Sequence, residues 1–181
     1  MSIEHDRDLP NEELKTKQFQ FLSLLIKKGQ IPLGEDMYQL GQTLGFDERL
    51  VNDIVDYYHR YKVIEFPILG PYIRLVYDWY KVLNARDRTL LTEGFLLKLH
   101  ELVKQNTNQQ VSAQDVFNAL GYRAFSDSLV PAIVESLSSD GFIRKINGNI
   151  AMTNKGIRKS NEIRERDKQL HRRTLEKLGW V

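Results

Sequence analysis

The triplet Leu44-Gly45-Phe46 returns as Leu120-Gly121-Tyr122, and the helical stripe after each copy constrains the fold more than any other feature of the chain. After the first copy the stripe is Leu50, Val51, Ile54, Val55 and Tyr58. After the second it is Leu129, Val130, Ile133, Val134 and Leu137. Both have the spacing of one helix face, and they stand 79 residues apart. The same offset carries Val63-Ile64 onto Phe142-Ile143. The triplets themselves are 76 residues apart, so Arg123-Ala124-Phe125 is an insertion of three residues in the second turn. A turn, a helix face and a strand entry repeated in one order imply two copies of one supersecondary unit.

Each copy reads as three helices and a hairpin. A first amphipathic helix is predicted over 12–28 and again over 90–104, with Leu14, Phe21, Leu22 and Leu25 and then Phe95, Leu96, Leu99 and Leu102-Val103 at three- and four-residue spacing. A short second helix is expected over 35–44, closed by Gly45, and from Ser112 to Gly121. Ser112 is a good N-cap with Asp115 three residues on. The third helix opens after Asp47 in the first copy and after Ser126 or Ser128 in the second, with Pro131 in its first turn. Asn147-Gly148 between Phe142–Ile146 and Asn149–Thr153 is a strong hairpin signal. In the first copy 63–69 turns at Gly70-Pro71 and returns through 72–76.

Helix, helix, helix, hairpin resembles the winged-helix superfamily. The likeness is most specific in the second copy, where Ile150-Ala151-Met152-Thr153-Asn154-Lys155-Gly156 is similar to the apolar-Thr-x-x-Gly ending of the wing in many bacterial and archaeal winged-helix regulators. The expected fold is mainly α with small β-hairpins (α+β), as tandem winged-helix-like units with a long C-terminal helix. Residues 1–11 read as a flexible tail, 12–80 as the first unit, 81–89 as a helical connector, 90–158 as the second unit and 159–181 as a basic helix. Ile163, Leu170, Thr174 and Leu178 form a thin apolar stripe on that last helix. It packs across its own chain or pairs with a partner's copy.

With 41% apolar and 28% charged residues the composition is that of a globular chain. The absence of cysteine excludes disulfides, thiolate metal sites and a cysteine nucleophile, and fits a reducing cytoplasm. The N-terminus lacks the basic and apolar regions of a secretory signal, and no apolar run spans a bilayer, so a cytoplasmic protein without membrane contact is expected. His5, His59, His100 and His171 have no metal-ligand spacing. Phosphate-loop, dinucleotide-binding, serine-elbow and zinc-protease motifs are all lacking, so the chain reads as a non-enzyme with no cofactor.

Charge is uneven. Residues 155–177 hold nine Lys and Arg against Glu162, Glu165, Asp167 and Glu176, and the remainder holds 17 basic and 20 acidic residues. Such asymmetry fits an acidic partner, and equally a solvated helix surface. The winged-helix resemblance implies double-stranded DNA. Contacts are expected from Arg123, Ser126 and Ser128 at the third helix, from Arg144, Lys145, Asn147 and Asn149 on the wing, and from Lys155, Arg158 and Lys159 after it. The first expectation is therefore a DNA-binding transcriptional regulator, working as a homodimer through the C-terminal helix or the aromatic first unit. Against it stand the third helices. The second copy has Glu135 and Asp140 and no Lys or Arg between Leu129 and Gly141, and the first has Asp47, Glu48, Asp53 and Asp56 against Arg49 and Arg60. The alternative is a protein-interaction scaffold without nucleic acid. In outline the chain is similar to tandem winged-helix accessory subunits of bacterial condensin-like complexes and of the endosomal sorting machinery.

Overall fold

A computed structural model describes residues 11–29, 31–123 and 128–177. The fold is mainly α with small antiparallel sheets, an α+β protein. The chain divides into two compact units. The first runs to Arg88 and takes in the segment Gly121–Leu129; the second comprises Thr89–Leu120 and the chain from Val130 onward.

The first unit is α1 (Asn11–Lys28), β1 (Glu35–Asp36), α2 (Met37–Thr43), α3 (Glu48–Arg60), β2 (Ile64–Glu65) and β3 (Tyr72–Leu75). A 3₁₀ turn at Trp79–Val82 comes next. The repeat is α4 (Ala85–Val103), β4 (Gln110–Val111), α5 (Ala113–Ala119), α6 (Leu129–Ser139), β5 (Ile143–Ile146), β6 (Asn149–Met152) and then α7 (Asn154–Lys177). Helix, strand, helix, helix, strand, strand occurs twice, and the sheets have matching orders, β1-β3-β2 and β4-β6-β5. The first strand of each sheet is not legible in the sequence pattern. Glu35–Asp36 falls within the predicted second helix, whereas both residues pair with β3 and Asp36 then caps α2. Two-residue strands are too short to show the alternation by which strands are read.

Side-chain caps set the helix starts. Asp36 accepts from Tyr38 N–H at 2.9 Å, Asp47 from Leu50 N–H at 2.8 Å and Ser112 from Asp115 N–H at 3.0 Å. Asn84 accepts from Asp87 N–H at 2.8 Å, so α4 begins at Ala85, five residues before the predicted start, and absorbs much of the expected connector. The predicted stripes are the cores. Phe21, Leu22, Leu25 and Ile26 of α1 are buried with Val51, Ile54, Val55 and Tyr58 of α3 in the first unit. In the second, Phe95, Leu96, Leu99 and Val103 of α4 are buried with Val116, Phe117, Ile133 and Leu137, and the Phe95 and Phe117 rings lie 5.0 Å apart.

The Thr-x-x-Gly ending has a double role. The Thr153 hydroxyl donates toward the carbonyls of Gly141 (2.6 Å) and Phe142 (3.0 Å) and accepts from Gly156 N–H at 3.0 Å, capping α7. A Cβ on Gly156 would run into the Phe142 carbonyl oxygen, so glycine is what lets the helix leave the sheet this closely. Among the described residues of α7, Gly156, Ser160 and Ile163 are buried. Arg166 adds a paired contact to Glu93 of α4 at 3.0 and 2.8 Å. From Asp167 to Arg173 the helix is exposed, Leu170 included, and Leu178 lies outside the described residues.

Candidate nucleic-acid interface

The second hairpin fixes where its cations point. Asn147 and Gly148 both have positive φ, 49° and 82°, the backbone that a two-residue hairpin turn requires. The resulting register pairs Arg144 with Ala151 and Lys145 with Ile150. Alternation then puts Ile143, Ile150 and Met152 toward the core and Arg144 on the opposite face. The Arg144 guanidinium donates to the Thr107 carbonyl at 2.8 Å, tying the loop after α4 to the wing. That loop exposes Lys104, Gln105, Asn106, Asn108 and Gln109. The tie thus joins an arginine of the wing to a loop rich in amide side chains.

The neighbouring cations are partly engaged. Lys145 pairs with Glu135 of α6 at 2.7 Å, and this hydrogen bond holds the Glu135 carboxyl below the usual carboxylate range. Lys155 donates to the Asp140 carbonyl at 2.6 Å with its ammonium 5.2 Å from the centre of the Phe142 ring. Lys159 lies 3.9 Å from Glu162. Arg158 is exposed and makes no ion pair among the described residues. Asn147 is exposed and Asn149 half-buried.

The remaining candidates lie elsewhere. Arg123 and Ser128 belong to the first unit. The Arg123 side chain is exposed while its N–H donates to the Ile26 carbonyl at 3.1 Å. Ser128 is turned inward: its N–H and hydroxyl both donate to Asp78 Oδ1, at 3.1 and 2.6 Å. A hydroxyl held this way is a helix-entry clamp, not a phosphate donor. Ser126 lies outside the described residues.

The corresponding end of the first unit has different chemistry. Arg74 donates to the Pro32 carbonyl at 2.8 Å and pairs with Glu65 at 2.6 Å. Pro32 and Thr107 each sit four residues past the end of their unit's first helix. Ile31, Pro32, Glu65, Arg74, Leu75 and Tyr77 line a hollow of about 320 Å³. Most of the exposed large apolar side chains, among them Leu33, Phe66, Ile68, Leu69 and Tyr77, belong to this unit. The sequence pattern places 66–69 in a strand, because aromatic and β-branched residues count toward one wherever pairing stops, and here it stops after Glu65.

Among the described residues no group of His, Asp and Glu has the arrangement of a metal site, and no helix is long and apolar enough to cross a membrane. His100 is buried in α4 with Nδ1 unpaired; burial, with Arg164 nearby, lowers its pKa, which disfavours the charged ring. Compared with family models, curated proteins and solved structures, the chain matches none.

Proposed function

We propose that the chain is a DNA-binding regulator of tandem winged-helix type that holds the duplex by the wing end of its second unit. The observation that carries this reading is the Arg144–Thr107 tie, which brings the amide-rich loop 104–109 to Arg144, on the hairpin face that the register gives to Asn149 as well; Lys145 stands on the other face. Cations and amides are the side chains that contact phosphates. Helix α6 offers Glu135 and no Lys or Arg, which disfavours its entry between the phosphates of a major groove. The contact therefore runs along the backbone, with Lys155, Arg158 and Lys159 extending it along α7.

The test is fluorescence anisotropy with a mixed-sequence duplex across about 50–200 mM salt, where log affinity falls by roughly 0.9 per neutralised phosphate for each unit of log salt. Arg144→Glu with Lys145→Glu is expected to abolish binding with the fold intact by circular dichroism. Unchanged affinity in that variant removes the wing from the interface. A second reading, a protein-holding scaffold, is favoured by the apolar end of the first unit, and absence of duplex binding at the lowest salt would select it.

A further inference from the structure

The outer face of the second sheet gathers amides around one arginine. Gln110 of β4 pairs with Ala151 of β6, and Ala151 pairs with Arg144 of β5. Directly opposed residues share a sheet face, so Gln110, Ala151 and Arg144 form one row across three strands. Asn149, two residues before Ala151, lies on that face too. The loop 104–109 runs into β4 and is fixed to the same sheet. The Arg144 guanidinium donates to the Thr107 carbonyl at 2.8 Å, the Asn108 N–H to Asn106 Oδ1 at 3.0 Å and the Asn106 N–H to the Val103 carbonyl at 2.8 Å. Lys104 and Gln105 have φ of 46° and 67°, a left-handed pair of non-glycine residues that persists only where the surroundings fix it. The backbone is thus tied while the side chains are not. Gln105, Asn108, Gln109 and Gln110 are exposed, and their carboxamides make no hydrogen bond among the described residues. Neither 104–112 nor 142–153 contains an acidic residue.

The residue types choose the ligand. A phosphate oxygen only accepts, and cations neutralise it. A carboxamide both donates and accepts, so carboxamides outnumbering the one arginine of this face offer more than a phosphate backbone can use. A base edge uses both capacities. In the major groove Asn or Gln pairs bidentately with N6 and N7 of adenine, and that groove admits a two-stranded ribbon such as β5–β6. Helix α6, with Glu135 and no Lys or Arg, leaves the reading role open. Resting on the DNA reading above, we infer that this face is the sequence reader of the protein. The β5–β6 ribbon lies in the major groove, and the carboxamides of Gln105, Asn108 and Gln109 recognise adenine, with Arg144 fastening their loop to the ribbon.

The experiment is selection of duplexes from a randomised pool by the full chain, followed by fluorescence anisotropy at one fixed salt concentration. The wild type is expected to select a site containing adenine. It should bind that site roughly tenfold or more tightly than the same duplex with those A·T pairs changed to G·C, as bidentate pairs discriminate. Gln105→Ala with Asn108→Ala and Gln109→Ala removes no charge and no side-chain hydrogen bond among the described residues. Circular dichroism, mixed-sequence affinity and its salt slope are therefore expected to stay unchanged, while the preference falls to within about twofold. An adenine analogue with carbon in place of N7 is expected to cost the wild type its preference and the variant nothing. Absence of duplex binding sinks the DNA reading itself, and this inference with it. Duplex binding with its salt slope but no preference for adenine, a preference that the variant keeps, one indifferent to the loss of N7, or an equal loss of mixed-sequence binding in the variant overturns this inference alone.

Discussion

Removing the Tyr58 hydroxyl tests the buried polar link between the third helix of the first unit and the start of the next helix. Tyr58 is fully buried and Asp87 is 3% exposed. The hydroxyl donates to Asp87 Oδ2 at 2.8 Å, and the Asn84 amide donates to the same oxygen at 2.8 Å and toward the Tyr57 hydroxyl at 3.2 Å. A hydrogen bond to a charged acceptor contributes about 1.5–3 kcal/mol, and leaving a buried donor unpaired costs about 1–3 kcal/mol. Tyr58→Phe is therefore expected to lower the unfolding free energy by about 2 kcal/mol, a change of some thirtyfold in the folded-to-unfolded ratio. Asp87→Ala costs at least as much, since Tyr58 then has no acceptor. In a double-mutant cycle read by urea unfolding, the double variant should recover about 1.5–3 kcal/mol relative to the sum. Additive losses would refute the link. Its pH dependence has a definite sign. Burial, outweighing the bonds from Tyr58 and Asn84, raises the Asp87 pKa above its ordinary 3.8. The folded state then binds more protons than the unfolded state between 3.8 and the raised value, so this group's contribution is present below that window and is lost as pH rises through it. Asp87→Asn should remove that slope. Glu101 and Glu135, held low by Lys98 and Lys145, act in the opposite direction, so the difference between variant and wild type is the quantity to read.

Gly156→Ala sets a Cβ against the Phe142 carbonyl and is expected to destabilise the second unit by about 1–3 kcal/mol in thermal or urea unfolding, as overpacking does. Ser112→Ala removes the α5 cap and should cost about 1 kcal/mol in the same assay. Glu135→Gln releases Lys145 and removes a negative charge from the proposed interface, so duplex affinity should rise and its salt dependence steepen by about one phosphate equivalent; weaker binding would count against a wing contact.

The features legible in the sequence were periodic or punctuated. The helix stripes at 50–58 and 129–137, the caps at Asp47 and Ser112 and the turn at Asn147-Gly148 each carry their own local cause, and each is found in the structure. The hidden features depend on partners far along the chain. Ser128 looks like an exposed helix-start hydroxyl until Asp78, fifty residues earlier, is seen to hold it. Lys145 looks like a free wing cation until Glu135 reaches it. The strand pairs at Glu35–Asp36 and Gln110–Val111 exist only because β3 and β6 lie beside them.

The repeat also separates scaffold from surface. Caps, stripes and sheet order recur in both units, and in both an arginine fastens the loop after the first helix, Arg74 from β3 to Pro32 and Arg144 from β5 to Thr107. The residues mounted on that frame diverge, apolar in one unit and cationic with amides in the other. Arg144→Glu with Lys145→Glu should therefore abolish duplex binding, while Leu69→Asp, fully exposed at the apolar end of the first unit, should leave duplex affinity and its salt slope unchanged. Weaker duplex binding by Leu69→Asp, with unchanged circular dichroism, would show that the duplex contact extends to the apolar end of the first unit.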